Sequence, residues 1–336
     1  MTINLGIIGA GRIGRLHANT LTTRVPGARV LAVADVFEAA AKSAAADFGI
    51  PDFSTDPSEL MRSGDIDAIV ICSSTDTHCR FIIEAARAGK QIFCEKPIAF
   101  DLVEIDDALA AVDSAGVQLQ IGFNRRFDAN HARLKRAIEG GEIGDAHTMM
   151  IISRDPAPPP IDYIKVSGGL MMDMMIHDFD MCRFLLGEVV EIFAFGDVKV
   201  DSAIGEAGDI DTAKVMLRFE NGVFGTIENS RQAVYGYDQR VEVFGSKGAA
   251  STGNWHANAV TISDAASVRR DLPLHFFVER YLESYVAEMR AFVEALSTGE
   301  TVPVVGNDGR APVLMALAGM RSMRENRPVG LDEVAP

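Results

Sequence analysis

The run Ile3-Asn4-Leu5-Gly6-Ile7-Ile8 passes without a break into Gly9-Ala10-Gly11-Arg12-Ile13-Gly14, and the next apolar run, Val30-Leu31-Ala32-Val33-Ala34, ends on Asp35. A strand, a glycine-rich turn, a helix-forming stretch and an acid about 20 positions further on make a dinucleotide-binding fingerprint. Gly9 permits the tight turn, Gly11 lets the backbone approach a pyrophosphate, and Gly14 lets the helix pack closely on the strand. The helix N-terminus then turns free N–H groups and the positive end of its dipole toward the phosphates. Glycine turns are common, so the motif gains its weight from the strand before it, the helix after it and Asp35 beyond.

The same grammar continues to about residue 122. Strand-like runs at Leu5–Ile8, Arg29–Ala34, Ala68–Cys72, Gln91–Cys94 and Gln118–Gly122 alternate with helical stretches at Ile13–Leu21, Ala39–Phe48, Pro57–Arg62, Thr77–Ala88 and Leu102–Ser114. Such alternation predicts a parallel sheet wrapped by helices, and the uniformly apolar strands fit a sheet covered on both faces. The expectation is an α/β fold opening with a Rossmann domain, a doubly wound parallel sheet, over residues 1–122. A second domain would take residues 123–336. There Ala213, Val215, Leu217 and Phe219 alternate with Thr212, Lys214, Met216 and Arg218, the period of a sheet with one buried face. Asn221-Gly222 signals a hairpin, with Gly225–Arg231 as its return strand. Val189–Val200, Gln239–Phe244 and Ala259–Ser263 add strands, while Phe276–Leu296 and a shorter stretch beginning after Asn307-Asp308-Gly309 and running to about Asn326 add helices. The second domain thus reads as α+β with an open, mainly antiparallel sheet, its last helix a candidate to pack back on the first domain.

A chain of 336 residues suits two domains, and 48% apolar with 24% charged residues is the composition of a globular protein. A formal charge of −15 opposes nucleic acid and anionic membranes, which leaves a small molecule as the expected partner. No basic leader with an apolar core precedes the first strand, and no apolar run reaches the roughly 20 residues of a membrane helix. Cys72, Cys79, Cys94 and Cys182 form no Cys-x-x-Cys pair, and three lie in or beside apolar stretches. They are expected to be reduced and buried, as in a cytoplasmic protein, and no metal-ligand spacing is present.

The chemistry is concentrated in a few places. In the apolar helix predicted over Leu170–Leu186, Asp173, His177 and Asp180 stand at i, i+4 and i+7 on one face. Taken alone, Asp173 is as well read as a helix cap after Gly168-Gly169, and His177 as a core histidine. With a nicotinamide the pair gains a task, because oxidising an alcohol needs a base for the hydroxyl proton and a carboxylate can orient the imidazole. Glu95-Lys96-Pro97 follows a strand at the carboxyl edge of the sheet, where open α/β sheets bind ligands. Lys96 there could hold the reacting oxygen or be a plain exposed lysine, and whether Pro97 is cis is open. Ser73-Ser74-Thr75-Asp76-Thr77-His78 follows the next strand edge, so Ser74, Thr75 and His78 join Glu95 as candidate cofactor contacts, with Thr75 or Asp76 equally a helix cap. Pro156, Pro158, Pro159 and Pro160 form a rigid loop after a strand ending near Arg154.

With these residues in place the chain resembles the Gfo/Idh/MocA oxidoreductase family over essentially its whole length. The resemblance rests on Gly9–Gly14, Glu95-Lys96-Pro97, Asn124-Arg125-Arg126-Phe127-Asp128, and Gly168-Gly169 leading to Asp173-Met174-Met175-Ile176-His177-Asp178. Ser153-Arg154-Asp155-Pro156, Ile176–Met181 and Tyr235-Gly236-Tyr237-Asp238-Gln239-Arg240 resemble its inositol dehydrogenase branch. The resemblance implies Lys96, Asp173 and His177 as the catalytic set, His177 being the acid/base. It further implies that Arg126, Asp155 and Tyr235, and at the margin Tyr281, bind a polyhydroxylated ring, and that the open sheet makes dimers or tetramers. Gly9, Gly11, Arg12, Ile13, Gly14 and Asp35 would hold the nucleotide. Asp35, followed by Val36 and Phe37, favours NAD, since a carboxylate binds a ribose 2′-hydroxyl and repels a 2′-phosphate, with Arg12 the one feature that softens this. The implied reaction is NAD-dependent oxidation of a secondary hydroxyl of a cyclic polyol, first of all myo-inositol to its 2-keto form. Another inositol isomer or an aldose, an NAD-dependent glycosidase, and a non-enzymatic NAD-binding regulator stay open as alternatives.

Overall fold

In the computed structural model, which describes residues 1–335, the opening run forms β1 (Ile3–Ile8) and the glycine turn leads into α1 (Arg12–Thr23). The chain continues as β2 (Ala28–Ala34), α2 (Glu38–Phe48), β3 (Asp52–Ser54), α3 (Pro57–Arg62), β4 (Ala68–Ile71), α4 (His78–Arg87), β5 (Gln91–Glu95), α5 (Leu102–Ala115) and β6 (Leu119–Gly122). Helix ends follow local chemistry: Asp101 accepts the N–H groups of Val103 and Glu104 to start α5, and Gly116, at φ 64°, ends it in the left-handed region. The six strands are parallel in the order β3-β2-β1-β4-β5-β6. Strand order reverses beside β1, so the carboxyl ends of β1 and β4 flank the crevice in which such sheets bind ligands. β3 escaped the sequence reading because its three residues are short of a period and none is buried.

The second unit is built from α6 (Ala129–Glu139), β7 (Ala146–Arg154), α7 (Ile161–Ile164), α8 (Gly169–Asp173), α9 (Ile176–Leu186), β8 (Val189–Asp197), α10 (Ser202–Glu206), β9 (Thr212–Phe219), β10 (Phe224–Ser230), β11 (Asp238–Gly245) and β12 (Gly248–Thr252). After it come β13 (Thr261–Ser263), β14 (Val268–Arg270), α11 (Phe277–Thr298), α12 (Gly306–Glu325) and β15 (Val329–Gly330). The sheet has seven strands in the order β12-β11-β7-β10-β9-β8-β15, antiparallel except where β7 meets β10. β9 alternates as its sequence requires, with Ala213, Val215, Leu217 and Phe219 buried. The strand expected at Ala259–Ser263 does not join this sheet. Only β13 forms there, and with every residue exposed it pairs with β14 in a separate hairpin.

The chain divides into two compact units that differ from a single cut at residue 122: residues 1–127 with 283–313, and residues 128–282 with 314–335. Apolar burial explains the returning segment. Met289, Phe292 and Val293 of α11 share one core with Leu5, Ile7 and Phe93, and Val304 O accepts the N–H of Ile121 at 3.0 Å. α12 contributes to the first unit only as far as Val313. Among the described residues no helix is long and apolar enough to cross a membrane.

Candidate active site

In the first unit the glycine turn divides its three glycines by what surrounds them. A Cβ on Gly9, at φ +99°, would stand 2.5 Å from Cys72 O, and one on Gly14 would collide with Gly9 O. A Cβ on Gly11 would meet nothing within 4 Å. Two glycines are therefore demanded by the fold itself, whereas Gly11 keeps open space at the start of α1, whose N-cap offers no side-chain acceptor. Arg12 is exposed and Ile13 half-buried beside it. Asp35 is tied to this turn, its Oδ2 accepting the N–H of Ala10 at 2.7 Å and its Oδ1 that of Phe37 at 2.9 Å. Each oxygen keeps a lone pair for a ribose hydroxyl. Backbone room for a pyrophosphate and a fixed acid for the ribose fit a dinucleotide. Replacing Asp35 by Ser is expected to weaken NAD about 10- to 100-fold, the worth of a charge-assisted hydrogen bond, and to weaken NADP less. Calorimetric titration with the two nucleotides checks this.

Beyond β4 the chain makes a 3-10 turn, Thr75–Thr77, in which the Ser73 and Thr77 hydroxyls lie 2.6 Å apart and Thr77 Oγ1 donates to Ser74 O. Ser74 is exposed and Thr75 half-buried, and no side chain caps the turn or α4, so the capping alternative for Thr75 and Asp76 is not used. His78 departs from its expectation as a cofactor contact. It is 1% exposed, with Nδ1 2.8 Å from Pro97 O and Nε2 3.0 Å from Ser73 O, so both ring nitrogens serve the protein's own backbone. Glu95 also turns inward: its Oε1 lies 2.6 Å from Nε2 of buried His17, and a Cβ on Gly122 would stand 2.9 Å from its Oε2. Glu288 of α11 completes that group. The 2.6 Å spacing is that of a hydrogen bond. Lys96 follows, half-buried, and its bond to Pro97 is cis. Arg126 forms an ion pair with Asp308 at 3.1 Å.

In the second unit the helix predicted over Leu170–Leu186 is broken. Met174 N and Met175 N both donate to Leu170 O, at 3.1 and 2.9 Å, so one residue is added to the turn and the chain restarts as α9. Such wide turns recur at functional sites. Asp173 is the last residue of α8 and His177 the second of α9, which overturns their i, i+4 spacing on one regular helix. Asp180 is fully buried. Asp173 is not the cap either. Asp209 reaches across 39 positions to accept the N–H of Leu170 at 3.0 and 3.1 Å, and Gly169 is required because a Cβ would stand 2.6 Å from its Oδ1. The carboxylate of Asp173 is held instead by Tyr163, whose hydroxyl donates to Oδ1 at 2.9 Å, and by Arg231, whose Nη1 is 3.4 Å from Oδ2. Arg231 is 1% exposed and also reaches Asp209 at 3.5 Å.

Two motifs some distance apart in sequence meet beside these helices' sheet. Arg154 donates to Tyr235 Oη at 2.6 Å and to Glu228, and Tyr235 donates in turn to Asp238 at 2.7 Å. Arg240 and Asn254 also bond the buried Asp238. Burial pushes the Asp238 carboxyl up, but these donors outweigh it and leave it below the usual range. Burial and then the Asp238 bond push the Tyr235 phenol up. The Tyr235 hydroxyl thus has a donor and an acceptor already, with one lone pair left. Asp155 lies half-buried just past β7, its N–H donating to Ser230 O and its carbonyl accepting from Ala233 N. Tyr281 is buried, its ring against His131, Tyr237 and Arg280.

Arg231, Tyr163, Asp209, His17 and Glu288 escaped the sequence reading. A signal existed for Arg231: carrying the alternation of the return strand forward from Gly225 and Ile227 puts Asn229 and Arg231 on the buried face as well. Nothing local marks Tyr163 or Asp209.

Together the glycine turn, Asp35 and the parallel sheet define a dinucleotide-binding protein. Residues 3–123 match the oxidoreductase family with an NAD-binding Rossmann fold and residues 131–251 match the GFO/IDH/MocA C-terminal domain, so the chain belongs to the GFO/IDH/MocA oxidoreductase family, and its cofactor is NAD. It is 46% identical to a myo-inositol 2-dehydrogenase of Thermotoga maritima over 99% of each chain. It is also 46% identical to an inositol 2-dehydrogenase of Rhizobium meliloti, covering 98% of this chain and 100% of that one. A crystal structure of a scyllo-inositol dehydrogenase from Lactobacillus casei with NAD(H) and scyllo-inositol superposes with a TM-score of 0.92 at 29% identity, covering 99% of this chain and 100% of that one. The four cysteines are free, with Cys94 and Cys182 buried; Cys72 and Cys79 are only half-buried, because the β4 exit and α4 leave them at a partly open edge. Burial pushes the Cys79 thiol up to about 12.

Proposed function

We propose that the protein oxidises one secondary hydroxyl of a cyclic polyol with NAD, with myo-inositol as substrate and its 2-keto form as product. The observation that carries this reading is the Asp173 carboxylate, fixed by Tyr163 and buried Arg231 at a helix break, four residues before His177. The names of the relatives support the ring class.

NAD, when bound, supplies the acceptor for the hydride of the carbinol carbon. His177 takes the hydroxyl proton as that carbon is oxidised, and in the reverse direction returns it. Asp173 orients the imidazole and favours its cationic form once the proton has arrived, which is why its own orientation needs Tyr163 and Arg231. Lys96 donates a hydrogen bond to the oxygen while that oxygen is shedding its proton. Arg126, Asp155 and Tyr235 are assigned to the other ring hydroxyls, Arg126 from its pair with Asp308 and Tyr235 through its remaining lone pair. The test is NADH formation by purified protein across myo-, scyllo- and chiro-inositol and common aldoses, with NAD and NADP compared. The fastest turnover is expected with myo-inositol and NAD. Silence on every polyol overturns the reading, and glycoside cleavage without NADH favours the glycosidase alternative.

We also infer a homo-oligomer in the cytoplasm. Phe195, Met216, Phe224 and Phe244 stand exposed on the outward face of the seven-stranded sheet, Phe224 by 58%. A second copy covering this face would remove them from water at about 25 cal/mol per Å². Replacing both Met216 and Phe224 by Glu is expected to lower the particle mass to that of a smaller assembly in mass photometry. An unchanged mass would move the interface elsewhere. Free cysteines are in keeping with a reducing compartment.

A further inference from the structure

His78 is a buried side chain to which the proposed reaction assigns no task, and its surroundings give it one. It is the first residue of α4, and its ring lies between two backbone carbonyls that leave neighbouring strands, Ser73 O beyond β4 and Pro97 O beyond β5. Ser73 abuts the glycine turn, since a Cβ on Gly9 would stand 2.8 Å from Ser73 N. Pro97 follows Lys96 directly. The next side chain repeats the arrangement: Cys79 Sγ lies 3.6 Å from Ile98 O, so the first two residues of α4 hold two consecutive carbonyls of the segment after Lys96.

A neutral imidazole has one N–H to give, and here two carbonyls compete for it. The Pro97 contact is the shorter and wholly buried, while the Ser73 contact is part-buried. A buried carbonyl left without a donor costs about 1–3 kcal/mol, whereas a part-exposed one can turn to water. The proton therefore belongs on Nδ1. Burial lowers the pKa of the ring, against the pull of both carbonyls, in keeping with a single N–H.

We propose that His78 is the positioning residue for Lys96: its Nδ1–H holds the Pro97 carbonyl and so fixes the backbone from which the lysine side chain leaves β5. This rests on the reading that Lys96 serves the alcohol chemistry. On the other side of the lysine the Glu95 carboxylate is held by His17, so the three-residue corner is gripped at both ends by buried histidines. Lys96 itself sits between two fixed points.

Two conservative variants of the full chain separate positioning from mere packing. In His78→Asn the amide nitrogen falls near the place of Nδ1 and keeps the bond to Pro97 O. In His78→Gln it falls near the place of Nε2 and keeps the bond to Ser73 O instead. The expected result is a kcat on the best polyol within about 3-fold of the parent for Asn but about 10- to 100-fold lower for Gln, as a misplacement of about 1 Å produces. KM for the polyol, Kd for NAD and the thermal midpoints of the two variants should stay alike. Equal kcat values, or a Gln variant as fast as the parent, would overturn the proposal, since a purely structural role lowers both midpoints and splits nothing. If neither variant folds, ring nitrogen shifts of the ¹⁵N-histidine-labelled parent decide: protonated Nδ1 upholds the bond and protonated Nε2 overturns it. A parent silent on every polyol fails the functional reading separately, and the tautomer still decides the His78 bond.

Discussion

Replacing His177 by Ala is expected to lower kcat by about 10²- to 10⁴-fold, the usual worth of a positioned acid/base, while leaving the affinity for NAD almost unchanged. The separation of effects follows from where the residues sit. Gly9, Gly11, Gly14 and Asp35 belong to the unit of residues 1–127 with 283–313, whereas His177 is the second residue of α9 in the other unit. Its loss removes no group from the nucleotide's pyrophosphate or ribose. The pH profile gives a second readout: a histidine base produces an acid limb in kcat/KM, and the residual activity of the Ala variant should lack it. Steady-state rates across pH, paired with NAD titration, check both. A variant that keeps its rate and its limb would move the base to another residue.

Arg231→Met is the second large effect, this time on stability and turnover together. The guanidinium is almost wholly buried and faces two carboxylates, Asp173 at 3.4 Å and Asp209 at 3.5 Å. Removing one member of a buried ion pair leaves the other charge uncompensated and costs about 3–5 kcal/mol. The long contacts, and side-chain exposures of 16% for Asp173 and 12% for Asp209, place this case near the lower end, about 3 kcal/mol. Denaturant unfolding should show that loss, and the folded fraction should turn over slowly because Asp173 has lost the guanidinium that orients it together with Tyr163. Adding Asp209→Asn to the Met variant removes one stranded charge, so stability should partly return while kcat does not. Recovery of both would reduce Arg231 to a structural role.

The first unit was legible because each of its signals is local. Apolar runs with glycine or acid punctuation fixed β1, β2, β4, β5 and β6 to within a residue or two at most ends, and Asp35 could be assigned beside the turn from spacing alone. The candidate site residues of the second unit stood out by residue type, whereas their geometry did not. Asp173 and His177 read as neighbours on one helix, since periodicity assumes regular turns and cannot show Met175 reaching five residues back to Leu170. What holds Asp173 was hidden for a different reason: Tyr163 and Arg231 reach it from separate segments, and Asp209 meets Arg231 from a third. His78 shows the opposite failure. Its place near a strand edge suggested a ligand contact, and only the two carbonyls around its ring reveal that it faces the protein. The return of α11 to the first core was likewise a matter of long-range apolar packing, to which residues 277–298 alone give no direction.

The proposed reaction turns on hydride transfer from a ring carbon to NAD. Incubating the protein with NAD and myo-inositol deuterated at carbon 2 tests it directly. The expected result is deuterium on the reduced nicotinamide in step with the 2-keto product, and a rate slowed relative to unlabelled myo-inositol if transfer is rate-limiting. Reduced nucleotide without deuterium, or product without reduced nucleotide, would contradict it.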